Sequence, residues 1–153
     1  MDEQTKQKLK NYVLWLLGRQ EYSKKELAQK LRQKDASEDY IEQLLSWCES
    51  LGYIDELRYC ESFLRRQINK GLGQKRVLAE ATNKGVDRAQ LMTLIEEQEI
   101  DWFELALETY QRKYGLGDKQ LDYKEKAKRV RYMMYRGFGY EEINFAMQAT
   151  IGD

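Results

Sequence analysis

The sequence has no proline and no histidine, only two cysteines, and no apolar run longer than residues 12–17. Proline ends helices and shapes irregular loops, so its absence predicts a chain that spends nearly all its length in helices joined by brief turns. Without histidine the chain lacks the commonest general acid/base and the commonest metal ligand, and two cysteines cannot complete a zinc site by themselves. Most zinc enzymes and triad hydrolases are thereby excluded, and no catalytic residue, metal or cofactor is expected. Acids are plentiful, but each acidic pair falls where a helix start or a solvated face would place it. Cys48 and Cys60 both sit within amphipathic helical patterns, where a free thiol behaves as a small buried apolar group, so no disulfide is expected. Residues 12–17 are far fewer than the roughly 20 needed to span a bilayer, and the polar start of the chain reads as that of a cytoplasmic protein.

Helix starts are clearly written. A side-chain oxygen at the N-cap accepts from an orphan amide, and an acid or glutamine three residues on reaches back. Ser23 with Glu26, Asp87 with Gln90, Asp101 with Glu104 and Asp122 with Glu125 carry that pattern, while Ser37 and Asp55 are followed by acids at the positive end of a helix dipole. Apolar residues between these starts recur at three and four, as in Tyr40, Leu44, Trp47, Cys48 and Leu51, the stripe of a helix that buries one face. The predicted helices are 4–17, 23–33, 37–51, 55–70, 73–84, 87–98, 101–114, 122–136 and 139–149. Gly52, Gly71, Gly85, Gly115 and Gly137 fall at or just past helix ends, where a left-handed residue is wanted.

Laying the chain on itself reveals a repeat. Glu21-Tyr22-Ser23 followed by Leu27 and Leu31 matches Gly71-Leu72-Gly73 followed by Val77 and Ala81, and Gly137-Phe138-Gly139 followed by Ile143 and Met147. Upstream, Leu14, Leu64 and Val130 coincide; downstream, Lys34, Ile41 and Leu44 match Lys84, Leu91 and Leu94. The first two copies begin 50 residues apart and the third a further 66. The last copy has no downstream helix, so the helix at 101–114, rich in Trp102, Phe103, Leu105, Leu107 and Tyr110, is expected to close it, tethered by residues 114–121. The expected fold is all-α: three tandem three-helix modules at 1–54, 55–99 and 100–153, forming an elongated body because so many helices cannot share one core.

Lysines and arginines balance acids at 26 each, yet the charge alternates along the chain. Residues 1–34 carry +5, 35–63 −7, 64–85 +5, 86–110 −6, 111–136 +6 and 137–153 −3. Two readings are open: basic stripes along one face that suit a polyanion, or solvated helix faces that pair with one another. One feature favours the first. At the start of the helix at 73, Lys75 and Arg76 stand where the other copies hold Lys25-Glu26 and Glu141-Glu142, and cations there oppose the helix dipole. With Gly71, Gly73 and free amides, this start reads as a seat for phosphate or carboxylate. Arg65, Arg66 and Lys70 on the preceding helix make it the densest basic cluster of the chain. A second cluster, Lys126, Lys128, Arg129, Arg131 and Arg136, is interleaved with Tyr132 and Tyr135, rings that stack on bases or, at helical spacing, pack in a core. The Gly-x-Gly pairs at 71, 115 and 137 lack the third glycine and preceding strand of a dinucleotide fingerprint, and read as turns.

The order of Tyr22-Ser23 with Glu26-Leu27, then Leu51-Gly52-Tyr53-Ile54-Asp55-Glu56 with Tyr59 and Phe63, then Lys70-Gly71-Leu72-Gly73 with Lys75 and Val77, then Arg136-Gly137-Phe138-Gly139 with Ile143, resembles the RecX regulatory proteins, which modulate the bacterial recombinase RecA. The likeness runs from Tyr12 to Gln148. It implies three tandem three-helix modules in a curved body lying in the groove of a RecA filament on DNA, where it bridges protomers, hinders filament growth and inhibits strand exchange, ATP hydrolysis and repressor cleavage. The partners it implies are the RecA filament and, weakly and without sequence specificity, single- or double-stranded DNA. No membrane contact is expected, and the chain is expected to be a monomer. The site residues expected to meet RecA or DNA are Arg65, Arg66, Lys70, Lys75, Arg76, Lys126, Lys128, Arg129, Arg131 and Arg136. Tyr135 departs from the pattern, standing where relatives often carry a basic residue. The alternative is a free-standing DNA-binding protein of helix-turn-helix type. Against it, three unequal helix pairs share one chain, and no single helix gathers a clear base-reading set of Asn, Gln and Arg.

Overall fold

A computed structural model describes residues 1–117 and 120–151. Among the described residues there are nine helices and no strand: α1 (Glu3–Leu17), α2 (Lys24–Gln33), α3 (Glu38–Ser50), α4 (Glu56–Asn69), α5 (Gln74–Lys84), α6 (Arg88–Glu97), α7 (Trp102–Tyr114), α8 (Tyr123–Tyr135) and α9 (Tyr140–Ile151). They follow one another as three successive triplets. None is long and apolar enough to cross a membrane. Of the predicted tether at 114–121, Asp118 and Lys119 lie outside the described residues.

The cap chemistry sets the boundaries. Ser23 and Glu26 close a full capping box on α2, the Ser23 hydroxyl accepting from the Glu26 amide at 3.1 Å and the Ser23 amide donating to the Glu26 carboxylate at 3.0 Å. Ser37, Asp55, Asp87, Asp101 and Asp122 each accept an amide three residues on, as expected. Asp2 does the same for α1, at 2.7 Å from the Thr5 nitrogen, a start that sequence reading missed. All five glycines expected to be left-handed have positive φ. Two acids share that conformation, Asp35 at φ 61° and Glu99 at φ 51°. Asp35 stands at the repeat position of Gly85, so the same helix end is turned once by glycine and once by an acid.

The chain forms two compact units, Met1–Ser62 with Ala81–Gln90, and Phe63–Glu80 with Leu91–Asp153. In the first, α1, α2 and α3 close on Leu9, Val13, Leu16, Leu27, Leu31, Ile41, Leu44 and Cys48, with Tyr12, Tyr40 and Trp47 at the margin. In the second, α7 lies along α9, and Ala106, Tyr110, Met133, Phe138, Ile143 and Met147 form the core. The repeat positions Leu27, Val77 and Ile143 are each fully buried, so one register serves all three triplets. Both cysteines are free and buried. Burial pushes the Cys48 thiol up and, with Glu61 and Asp87 nearby, the Cys60 thiol up to about 11, which keeps both protonated at neutral pH.

Candidate functional site

Glycine brings the two basic clusters of the second unit together. Gly73, just before α5, and Gly137, just after α8, meet backbone to backbone: a Cβ on Gly73 would fall 2.5 Å from the Gly137 carbonyl and 2.6 Å from the Phe138 nitrogen. This approach lets the Gly73 amide donate to the Arg136 carbonyl at 2.8 Å, and the Lys75 amide to the Gly137 carbonyl at 3.2 Å. Two of the amides expected to be free for an anion, those of Gly73 and Lys75, are therefore taken by carbonyls from the end of α8. The positive end of one helix dipole meets the negative end of another, which corrects the reading of this start as an open phosphate seat. The first unit repeats the device: at the start of α2, the Ser23 hydroxyl donates to the Lys84 carbonyl at 2.5 Å and the Lys25 ammonium to the Thr82 carbonyl at 2.9 Å, both at the end of α5.

The placement of Arg76 follows from this contact. A cation at the start of α5 opposes that helix's own dipole, but here it lies beside the negative end of α8, donating from Nη1 to the Tyr135 carbonyl at 3.2 Å and from Nε to Glu80 at 3.1 Å. Its guanidinium lies 5.0 Å from the centre of the Tyr135 ring. Arg136 returns the contact, donating from Nε to the Gly71 carbonyl at 3.3 Å and from Nη2 to the Lys70 carbonyl, beyond the end of α4. Arg76 and Arg136 thus each hold the chain at the far helix's end.

Arg129 turns inward. Its guanidinium donates to the Tyr110 hydroxyl at 2.9 Å and to Glu125 at 3.0 Å, and lies 4.3 Å from the centre of the Tyr114 ring. Only 17% of its side chain is exposed. Burial works against that charge, but the bonds to Tyr110 and Glu125 outweigh it and hold the group above its ordinary value. The repeat explains the direction: Arg129 stands at the position of Val13 and Phe63, both with no exposed surface. Arg66, at the position of the buried Leu16, is half-buried for the same reason.

Arg65, Lys70, Lys75, Lys126, Lys128 and Arg131 are exposed. Arg65 and Arg131 share the outward repeat position of Trp15, itself 57% exposed. Lys128 and Arg131 lie on one face of α8, three residues apart, while Lys126 is set off that face by its spacing. Sequence reading did not include one further cation of this face, Lys124, which precedes Lys128 by four residues. Tyr135, one of the two rings noted within the cluster, follows Arg131 by four with 73% of its surface exposed. Helical spacing, applied to the cluster instead of its charge count, would have found Lys124 and separated Tyr135 from Tyr132. Tyr132 instead packs on the core of the second unit, edge-on to Tyr114 at 5.7 Å.

Comparison with known proteins agrees with this architecture. Models of the first, second and third three-helix domains of RecX match residues 10–48, 55–91 and 99–147. The chain is 37% identical over 138 residues to the regulatory protein RecX of Vibrio vulnificus, covering 90% of each, and 38% identical over 128 residues to that of Pseudomonas entomophila, covering 84% of this chain and 82% of the relative. The crystal structure of RecX from Lactobacillus salivarius superimposes with a TM-score of 0.72 at 25% identity, over 96% of this chain and 97% of that one. The fold is accordingly all-α, with three tandem three-helix domains, and the chain belongs to the RecX family of regulatory proteins.

Proposed function

We propose that this chain binds the RecA nucleoprotein filament and inhibits filament extension, strand exchange, ATP hydrolysis and coprotease activity in recombinational repair and the SOS response. The observation that carries this reading is the junction at Gly73 and Gly137. It brings the backbone of Lys70 and Lys75, both exposed residues, to the end of α8, whose outer face carries a row of exposed cations that includes Arg131 and Lys128. Such a row offers charge to a polyanion, while Arg76, Arg129 and Arg136 serve chiefly to hold the row in place. A filament presenting both phosphates and protein carboxylates suits a protein of zero net charge whose cations are gathered locally. The module limits 1–54, 55–99 and 100–153 remain part of this proposal.

The test is RecA's DNA-dependent ATP hydrolysis measured with increasing amounts of the chain. Inhibition at modest molar ratios is expected, and no effect at any ratio rejects the proposal. Reversing charge at Arg65, Lys75, Lys128 and Arg131 together is expected to leave helicity intact and weaken inhibition at least several-fold. Unchanged inhibition removes these residues from the interface.

A further inference from the structure

We infer that Tyr135 is a stacking platform for an unpaired base, so that the outer face of α8 takes single-stranded nucleic acid directly. The inference rests on the proposed polyanion-facing role of that surface and adds to it a ring, a face of that ring and a preference between strand types. Tyr135 ends the exposed row of α8 behind Lys124, Lys128 and Arg131. At 1.5 Å per residue the steps between successive members are about 6, 4.5 and 6 Å along the helix.

Three observations point to a base. First, Tyr135 is 73% exposed, a large apolar surface left in water at the end of a row of cations. Second, the ring is held: the guanidinium of Arg76 lies 5.0 Å from its centre while bonded to the Tyr135 carbonyl and to Glu80. A ring backed by a fixed cation loses little freedom when a second flat group covers its open side. Third, the two groups beside it that could compete for a phosphate, Arg76 and Arg136, are engaged with backbone carbonyls, so the position offers a π-face where its neighbours along α8 offer charge. Cations that hold a backbone beside an aromatic that holds a base are the two elements of single-strand recognition. In a duplex the bases are stacked and paired, so such a ring gains nothing from it.

The test uses the full chain without RecA, and follows fluorescence anisotropy of labelled oligo(dT), oligo(rU) and a duplex of matched length. Wild type is expected to prefer the single strands, the two oligomers separating DNA from RNA as the source. Tyr135→Ala is expected to weaken single-strand binding roughly tenfold, with duplex binding and salt dependence unchanged; Tyr135→Phe, which keeps the ring, is expected to bind as wild type. Lys128→Glu with Arg131→Glu is expected to weaken all three and flatten the salt dependence. In Tyr135→Trp, added single strand is expected to quench the new indole emission. The inference is overturned if wild type binds no single strand, if Tyr135→Ala binds as wild type, or if it loses single strand and duplex alike. Inhibition of RecA by wild type is measured separately, so a failure here is distinguishable from failure of the proposed function.

Discussion

Replacing Gly73 by alanine adds one methyl group at a point where two backbones touch. The new carbon would lie 2.5 Å from the Gly137 carbonyl carbon and oxygen and 2.6 Å from the Phe138 nitrogen, none of which can rotate out of its way as a flexible side chain would. To relieve the clash the end of α8 must withdraw from the start of α5, which lengthens the bonds from the Gly73 amide to Arg136 and from the Lys75 amide to Gly137. Overpacking of this kind costs about 1–3 kcal/mol, and two weakened backbone hydrogen bonds add about 1 kcal/mol each. We therefore expect a loss of about 3–5 kcal/mol in urea unfolding. Amide exchange should become faster at Gly73 and Lys75. The control is Gly115→Ala: nothing lies within 4 Å of a Cβ there, so only the backbone penalty of φ +78° with ψ −174° applies, about 1–3 kcal/mol, and exchange at Lys75 is expected to stay as in wild type. If Gly73→Ala costs no more than a few tenths of a kcal/mol, or leaves exchange at Lys75 unchanged, the two backbones are not in contact as described.

Further expectations follow from single sites. Arg129→Met should cost about 1–3 kcal/mol, because it leaves the buried Tyr110 hydroxyl without its donor, and should leave the proposed RecA inhibition intact, because the guanidinium faces Tyr110 and Glu125; lost inhibition in a fully helical variant would place Arg129 in the interface instead. Glu99→Gly, at φ 51°, should raise the urea midpoint by roughly 1 kcal/mol of stability, and a fall would mean that the Glu99 side chain holds something the helix end needs. The Cys60 thiol, at about 11 in the fold against an ordinary 9.0, contributes its share of stability fully below pH 9 and loses it as pH climbs through about 11. The urea midpoint of wild type should accordingly fall toward that of Cys60→Ala across this window, whereas a constant difference between them would show that the thiol ionises as freely in the fold as out of it.

The helices were legible because their signals are local. A serine or aspartate side chain reaches an amide three residues away whatever the rest of the chain does, so Ser23, Ser37, Asp55, Asp87, Asp101 and Asp122 could be named as starts before any packing was known. The left-handed glycines were legible for the same reason. Asp35 could have been found only through the repeat, which aligns it with Gly85, and Glu99, with neither a glycine at its repeat position nor a side chain that favours positive φ, carries no such mark. The seat at the start of α5 was misread because its amides are satisfied by residues more than 60 positions away, a partner that no local pattern encodes.

The basic clusters show where a charge count fails and a register succeeds. Arg129 and Arg131 are two residues apart and equal in charge, yet a helix turns by about 200° between them, so one faces Tyr110 and the other water. The repeat had already assigned these directions, because Arg129 aligns with the buried Val13 and Phe63 and Arg131 with the exposed Trp15 and Arg65. The same register aligns Tyr135 with Arg19, whose guanidinium lies 4.9 Å from the Trp15 ring. In the first module a cation stands at this position beside an aromatic at the outward position four residues earlier. In the third the two are exchanged, with Tyr135 here and Arg131 at the outward position. With the two chemistries exchanged, the Tyr135 ring is backed by Arg76 from α5 and not by a cation of its own helix, and with 73% of the residue exposed its open side is left for a base, which is what single-strand binding by Tyr135 variants measures.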